Sequence, residues 1–158
     1  KQALKPGYDA DQLRKDRLAL LDQANVQVAN LISNDVHWFH NKNNLKLGKG
    51  ILILSNASIG ANVTIGDYSV IDWDTRLVDT VVGRNSIVGA ASILAHVEVG
   101  DNVRVGVRST LIPSRKKDLL KLGNGCIVYI GSLVLDDVPE GSVYTMYGQT
   151  RKRLKNPA

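Results

Sequence analysis

The sequence predicts an all-β protein, a parallel solenoid of short stacked rungs, and three observations carry that prediction. An aliphatic residue recurs every six positions: Leu47, Ile53, Ile59, Ile65, Ile71, Leu77, then after a one-residue skip Val82, Val88, Leu94. A second skip leads to Val99, Val105, Leu111, and an insertion to Leu122, Val128, Val134. Glycine follows that residue at Gly48, Gly60, Gly66, Gly83, Gly89, Gly100, Gly106 and Gly123. Four places after the aliphatic residue comes a small or β-branched one: Ala57, Val63, Ser69, Thr75, Val81, Ser86, Ser92, Val103, Ser109, Cys126, Ser132, Val138. A helix cannot use such a pattern, because six steps of about 100° carry the aliphatic residue off its own face, and each glycine costs about 1 kcal/mol against alanine. An extended chain can. A separation of four keeps both residues on one side, pointing inward, while glycine, Asp or Asn takes the bend between rungs. Stacking the rungs buries a narrow aliphatic column, which fits a chain with 5% aromatic residues and one phenylalanine.

The elements follow in order. Residues 1–32 read as a helix and a strand. The helix spans 9–24, with Leu13, Leu20, Leu21 and Ala24 on one face, Asp9 or Asp11 at its start and Pro6-Gly7 before it. Val26 to Ile32 then alternates like a strand. Residues 33–46 are a polar, irregular entry segment in which Trp38 and Phe39, flanked by His37 and His40, cover the open end of the column. The solenoid occupies 47–143. Within it, Ser114 to Leu120 lengthens one repeat from six residues to eleven, forcing out a loop that carries Arg115, Lys116 and Lys117. Residues 144–158 form a basic tail with Arg151, Lys152, Arg153 and Lys155.

Composition narrows the function. At 158 residues and 44% hydrophobic, the chain can build one core and not two. No apolar run approaches the roughly 20 residues of a membrane span. A single cysteine makes no internal disulfide and, with three histidines, no structural zinc site of the usual composition, so a reducing compartment, the cytoplasm, is expected and no metal. Much of the net charge of +5 sits in the loop and the tail, where a small polyphosphate ligand would satisfy it and a plainly solvated loop and tail is the competing reading; no nucleic acid partner is expected. Cys126 sits at an inward small position and reads as packing.

The consensus of aliphatic, glycine, two variable residues and a small residue resembles the hexapeptide repeat of left-handed parallel β-helix proteins. Within these the chain is most similar to bacterial sugar acetyltransferases of the sialic acid O-acetyltransferase and UDP-4-amino-sugar N-acetyltransferase type. The stretches KDRLALLDQANVQVANLIS, ASIGANVTIGDYSVID and VYIGSLVLDDVPEGSV carry that similarity. The resemblance implies a left-handed coil of three hexads per turn, a homotrimer with sites between subunits, acetyl-CoA as co-substrate and a sugar or sugar nucleotide as acceptor. It also implies that Lys1 lies inside a truncated first domain. The family's valine-aspartate-histidine hexad corresponds to Leu77-Val78-Asp79-Thr80-Val81, one residue short and without histidine. Arg108 stands where the family has a second glycine, and Tyr147-Gly148-Gln149-Thr150 replaces the family's glycine-asparagine-proline-alanine ending.

Acetyl transfer needs a base for the acceptor's proton, and histidine suits the task because its ordinary pKa of about 6.5 lies near working pH. His96 lies seventeen residues after Asp79 in the shortened hexad Leu94-Ala95-His96-Val97-Glu98, which stacks it one coil along on the same corner. His96 is therefore the candidate base, with Asp79 or Glu98 orienting it; a surface histidine at a coil bend is the plain alternative. The resemblance places Gly131, Arg108, Arg151 and Lys152 along the coenzyme. Two other functions stay open: a non-catalytic trimeric scaffold that has lost the family histidine, and an anion-binding module using the basic tail.

Overall fold

The computed structural model describes residues 29–39, 44–147 and 150–152, together with Asp16 and Ala19. Asp16 and Ala19 are helical; the rest of the 9–24 helix, His40 and residues 153–158 lie outside the described residues. From Leu31 onward the chain winds as a parallel solenoid of about six turns, each turn laying one rung in each of three sheets.

Sheet A holds β1 (Leu31–Ile32), β4 (Leu52–Ile53), β7 (Val70–Ile71), β10 (Ile87–Val88), β13 (Arg104–Val105), β16 (Ile127–Val128), β18 (Ser142–Tyr144) and β19 (Thr150–Lys152). Sheet B holds β2 (His37–Trp38), β5 (Ser58–Ile59), β8 (Arg76–Val78), β11 (Ile93–Ala95), β14 (Thr110–Leu111) and β17 (Leu133–Val134). Sheet C holds β3 (Lys46–Leu47), β6 (Thr64–Ile65), β9 (Val81–Val82), β12 (Val97–Val99) and β15 (Leu120–Leu122). The aliphatic residue of each hexad pairs in register with its counterpart one turn away, as in Ile59 with Leu77 and Leu94 with Leu111. From Ile53 to Val134 these residues are buried.

The interior combines that column with a second device. The buried hydroxyls at the small positions donate to a carbonyl fourteen residues on: Ser69 to Gly83 at 2.6 Å, Thr75 to Gly89 at 3.2 Å, Ser86 to Gly100 at 2.8 Å and Ser92 to Gly106 at 3.1 Å. Three of the four also accept a backbone N–H seventeen residues on, from Ser86, Val103 and Ser109. Buried backbone groups at the bends are thereby paired. The glycine after each aliphatic residue lets the next coil close down. A Cβ on Gly66 would stand 2.7 Å from the carbonyl carbon of Gly83.

Four boundaries differ from the sequence reading. Leu31–Ile32, His37–Trp38 and Lys46–Leu47 already lay a first rung in each sheet, with Trp38 in register with Ile59 at the inward position; the unbroken hexad spacing starts later because β2 and β3 are seven residues apart in sequence where the regular connection has four. At the first skip Thr80, not Val81, turns inward: Thr80 is buried and Val81 is 44% exposed, because the deletion lies just before them and moves the bend. At the second skip Val97 takes the inward place for the same reason. Thr150–Lys152, expected in a tail, returns as β19, antiparallel to β18.

Candidate active site

Both skips and the insertion fall on one corner of the triangular coil, between sheets B and C. The connections there are Asp79-Thr80, the single residue His96, and 112–119, whereas the other two corners keep a regular length. That corner is where the chain varies its backbone and exposes chemically capable side chains.

The bend requires a left-handed backbone. Asn62, Asp79 and His96 adopt φ of 53°, 45° and 56°, a region in which Asn, Asp and His are enriched because their side chains tolerate it. Successive coils stack these residues. Asn44 Nδ2 donates to Asn62 Oδ1 at 2.7 Å, and Asn62 Nδ2 donates to Asp79 Oδ1 at 2.6 Å. The other oxygen of Asp79, Oδ2, lies 3.6 Å from His96 Nδ1. This is an ion-pair distance, beyond an ordinary hydrogen bond. A four-residue ladder therefore runs up the corner and ends on the imidazole, whose side chain is 55% exposed. With Nδ1 turned toward Asp79, Nε2 is left for another partner. The same four positions recur at intervals of 18, 17 and 17 residues, a signal that could have identified Asn44 and Asn62 from sequence.

The remaining sequence candidates fall elsewhere. Glu98 lies exposed on β12 between Val81 and Lys121 and, among the described residues, makes no hydrogen bond or ion pair with His96. Arg108 and Gly131 stack on the other edge of sheet B, the A–B corner, with φ of 57° and 66°. The B rung separates them from His96 by about five residues, roughly 16 Å of extended chain. Arg151 and Lys152 belong to the closing strand of sheet A, at the C-terminal end of the solenoid. The chain thus brings Asp79 and His96 together and keeps the four expected coenzyme contacts apart from them.

The basic loop rises directly over the corner, its last connection anchored where the Leu120 N–H donates to the His96 carbonyl at 3.0 Å. Lys117 Nζ reaches Asp137 Oδ2 at 3.0 Å, and Asp137 Oδ1 accepts the Lys121 N–H. These contacts, the Lys121 N–H first and then Lys117, hold the Asp137 carboxyl below the usual range. Arg115 and Lys116 are exposed at the loop tip. Cys126 is buried, and burial pushes its thiol up to about 12, which suits packing and not nucleophilic work. Among the described residues there is no group of three His, Cys, Asp or Glu side chains able to hold a metal ion, and no helix long and apolar enough to cross a membrane.

The fold matches the solved structure of a histidine-to-alanine mutant of GDP-perosamine N-acetyl transferase from Caulobacter crescentus, determined in complex with CoA and GDP-perosamine. The TM-score is 0.77 at 23% identity, over 90% of this chain and 65% of that one. The chain is a hexapeptide-repeat left-handed β-helix. Two curated relatives agree. This β-helix is 35% identical over 99 residues to the bifunctional protein GlmU of Gloeobacter violaceus, covering 58% of the chain and 21% of the relative. It is 34% identical over 95 residues to YvoF of Bacillus subtilis, named as an acetyltransferase, covering 51% of the chain and 52% of the relative. The β-helix thus spans between about a fifth and about half of the length of these relatives. No family model matches it.

Proposed function

We propose that this β-helix transfers an acetyl group from acetyl-CoA to an amino or hydroxyl group of a sugar or sugar nucleotide, with His96 as the base. The observation that carries the reading is the Asp79–His96 pair at the irregular corner, in a fold shared with a transferase crystallised with CoA and GDP-perosamine. Acetyl-CoA supplies a thioester carbonyl open to attack. His96 Nε2 takes the proton of the acceptor's amine or hydroxyl as it attacks, and the Asp79 carboxylate stabilises the imidazolium that results. The imidazolium then returns its proton to the leaving thiolate.

The chain's cations fit the coenzyme's phosphates. Arg108 is exposed, Arg115 and Lys116 stand at the tip of a loop anchored beside His96, and Arg151 and Lys152 lie on the closing strand. Gly131, with no Cβ, leaves room for the coenzyme arm against its backbone. Glu98, two residues from His96, is the second candidate to steady the ring. Because Arg108 and Gly131 stand on the opposite edge of sheet B from His96, one subunit cannot present both groups to one short ligand segment, which favours a homotrimer with sites between subunits. An apolar ridge on that edge supports the assembly: Trp73, Ala90, Val107 and Ile130 stack in successive coils, with Trp73 and Ile130 56% and 60% exposed. The proposed compartment is the cytoplasm.

The test follows thiol release from acetyl-CoA over a panel of free and nucleotide-linked amino sugars, with the wild-type chain and His96→Ala. The expected result is turnover that falls by about 10²–10⁴-fold in the variant while acetyl-CoA binding persists. Equal turnover in the two removes His96 from the mechanism. Binding of acetyl-CoA without turnover of any acceptor favours the scaffold reading.

A further inference from the structure

The His96 corner borders a groove that the proton transfer does not use. On the outer face of sheet B a depression of about 520 Å³ is lined by Phe39, Ser58, Gly60, Arg76, Val78 and Ile93, with Ala61 at its margin. Its walls are apolar and aromatic, with Phe39 53% and Ile93 39% exposed. Arg76 is the one charged residue that lines it among the described residues. Its neighbours in register are Ser58 and Ile93, neither of which can neutralise it, and its guanidinium makes no hydrogen bond or ion pair among the described residues. A bare guanidinium on an apolar surface is a receptor for a planar or tetrahedral anion, which it grips through two parallel hydrogen bonds.

The groove and the corner are continuous. Asp79 donates its N–H to the Ala61 carbonyl at 2.8 Å, and His96 donates its N–H to the Val78 carbonyl at 3.2 Å, so the groove's margin is the backbone that holds both corner residues. Arg76 precedes Asp79 by three residues on an extended rung, which sets it roughly 10 Å from the corner. A molecule lying in the groove with one end at His96 would reach Arg76 with the other, its middle against Phe39, Val78 and Ile93. The face of a sugar ring, carbon and hydrogen on its flat side, suits those three.

We propose that this groove seats the acceptor and that Arg76 binds an anionic group, phosphoryl or carboxylate, carried by the acceptor at the end away from the acetylated atom. The inference rests on the acetyl-transfer reading and narrows it to acidic acceptors: the anion fixes the register of the ring so that one hydroxyl or amine, and not its neighbours, meets His96 Nε2.

Calorimetric titration of the full chain tests it without requiring turnover. The ligands are glucose 1-phosphate, UDP-glucose, glucuronic acid, uncharged glucose and acetyl-CoA; the proteins are wild type, Arg76→Met and Arg76→Lys. The expected result is that at least one charged sugar binds the wild type more tightly than glucose does. Its affinity should fall by about tenfold or more in Arg76→Met, the scale of a lost charge-assisted hydrogen bond, and by less in Arg76→Lys, which keeps the charge and loses the bidentate fork, with acetyl-CoA affinity unchanged in both. Tighter binding of the two phosphorylated sugars identifies a phosphoryl group, and tighter binding of glucuronic acid a carboxylate. Charged sugars that bind no better than glucose, or that bind Arg76→Met as well as wild type, overturn the inference while leaving acetyl transfer standing. So does an equal loss of acetyl-CoA affinity in Arg76→Met, which would give the groove to the coenzyme. A wild type that binds charged sugars but not acetyl-CoA overturns the acetyl-transfer reading and the acceptor assignment with it.

Discussion

Replacing Ser86 by alanine removes a single oxygen from the centre of the solenoid, and the structure sets what that costs. Ser86 is fully buried, donates to the Gly100 carbonyl at 2.8 Å and accepts the Val103 N–H at 3.0 Å. Without the hydroxyl, a buried N–H and a buried carbonyl each lose a partner, and one such group left unpaired costs about 1–3 kcal/mol. Part of this is recoverable. In the coil where Cys126 takes the same position, its N–H falls back on the carbonyl of Gly123, three residues earlier, at 3.3 Å, and Val103 can make the matching bond to Gly100. The two penalties are therefore not additive, and a loss of about 1–3 kcal/mol in all is expected. For a chain of this size each kcal/mol moves Tm by about 2–4 °C, so Ser86→Ala should melt roughly 2–12 °C lower in a thermal scan at fixed protein concentration. Ser86→Thr keeps the hydroxyl, as Thr75 does in donating to Gly89, and should lose far less. A fall below about 1 °C for the alanine variant, or equal losses for alanine and threonine, would refute the claim that the hydroxyl ladder, and not packing alone, holds the coils together.

Two other outcomes follow from particular residues. Arg108 keeps a left-handed backbone that costs about 1–2 kcal/mol for a side-chain-bearing residue, partly offset by the roughly 0.5–1 kcal/mol of extra chain entropy that glycine loses on folding. Arg108→Gly should therefore raise Tm slightly while weakening acetyl-CoA binding, and a lower Tm would contradict the strain argument. The Asp137 carboxyl is held below its ordinary pKa, so the fold favours its ionised form: its contribution is complete above about pH 4 and is lost as pH falls through the lowered value. Amide exchange at Lys121, whose N–H bonds to that carboxylate, should accelerate relative to the core as pH drops below that range, and should be fast at neutral pH in Asp137→Ala.

The column was legible because burial and spacing are the same fact in a solenoid: one aliphatic residue per rung, repeated, can only pack against its own copies. The stacking of Asp79 and His96 was legible for a related reason, since a shortened turn of seventeen residues returns the chain to the same corner. What the spacing could not convey was which bend had lost a residue. Val81 and Thr80 exchanged faces on that account, and residues 33–46 concealed a rung because their long connection broke the count. Nor could spacing measure distance across a rung. Arg108 and Gly131 belong to the same repeat system as His96, and only the assignment of each hexad to a sheet separates them by the width of sheet B. The groove at Arg76 escaped notice because outward-facing residues carry no period; an arginine between a serine and an isoleucine becomes informative only when the three lie side by side.

The most direct measurement is the melting temperature of the full chain against acetyl-CoA. A coenzyme-dependent transferase should be stabilised by about 2.7 kcal/mol at a hundredfold excess over the dissociation constant, an upward shift of roughly 5–11 °C, and His96→Ala should shift equally because the histidine handles a proton and does not hold the coenzyme. A melting temperature that stays unchanged up to millimolar acetyl-CoA would contradict the account.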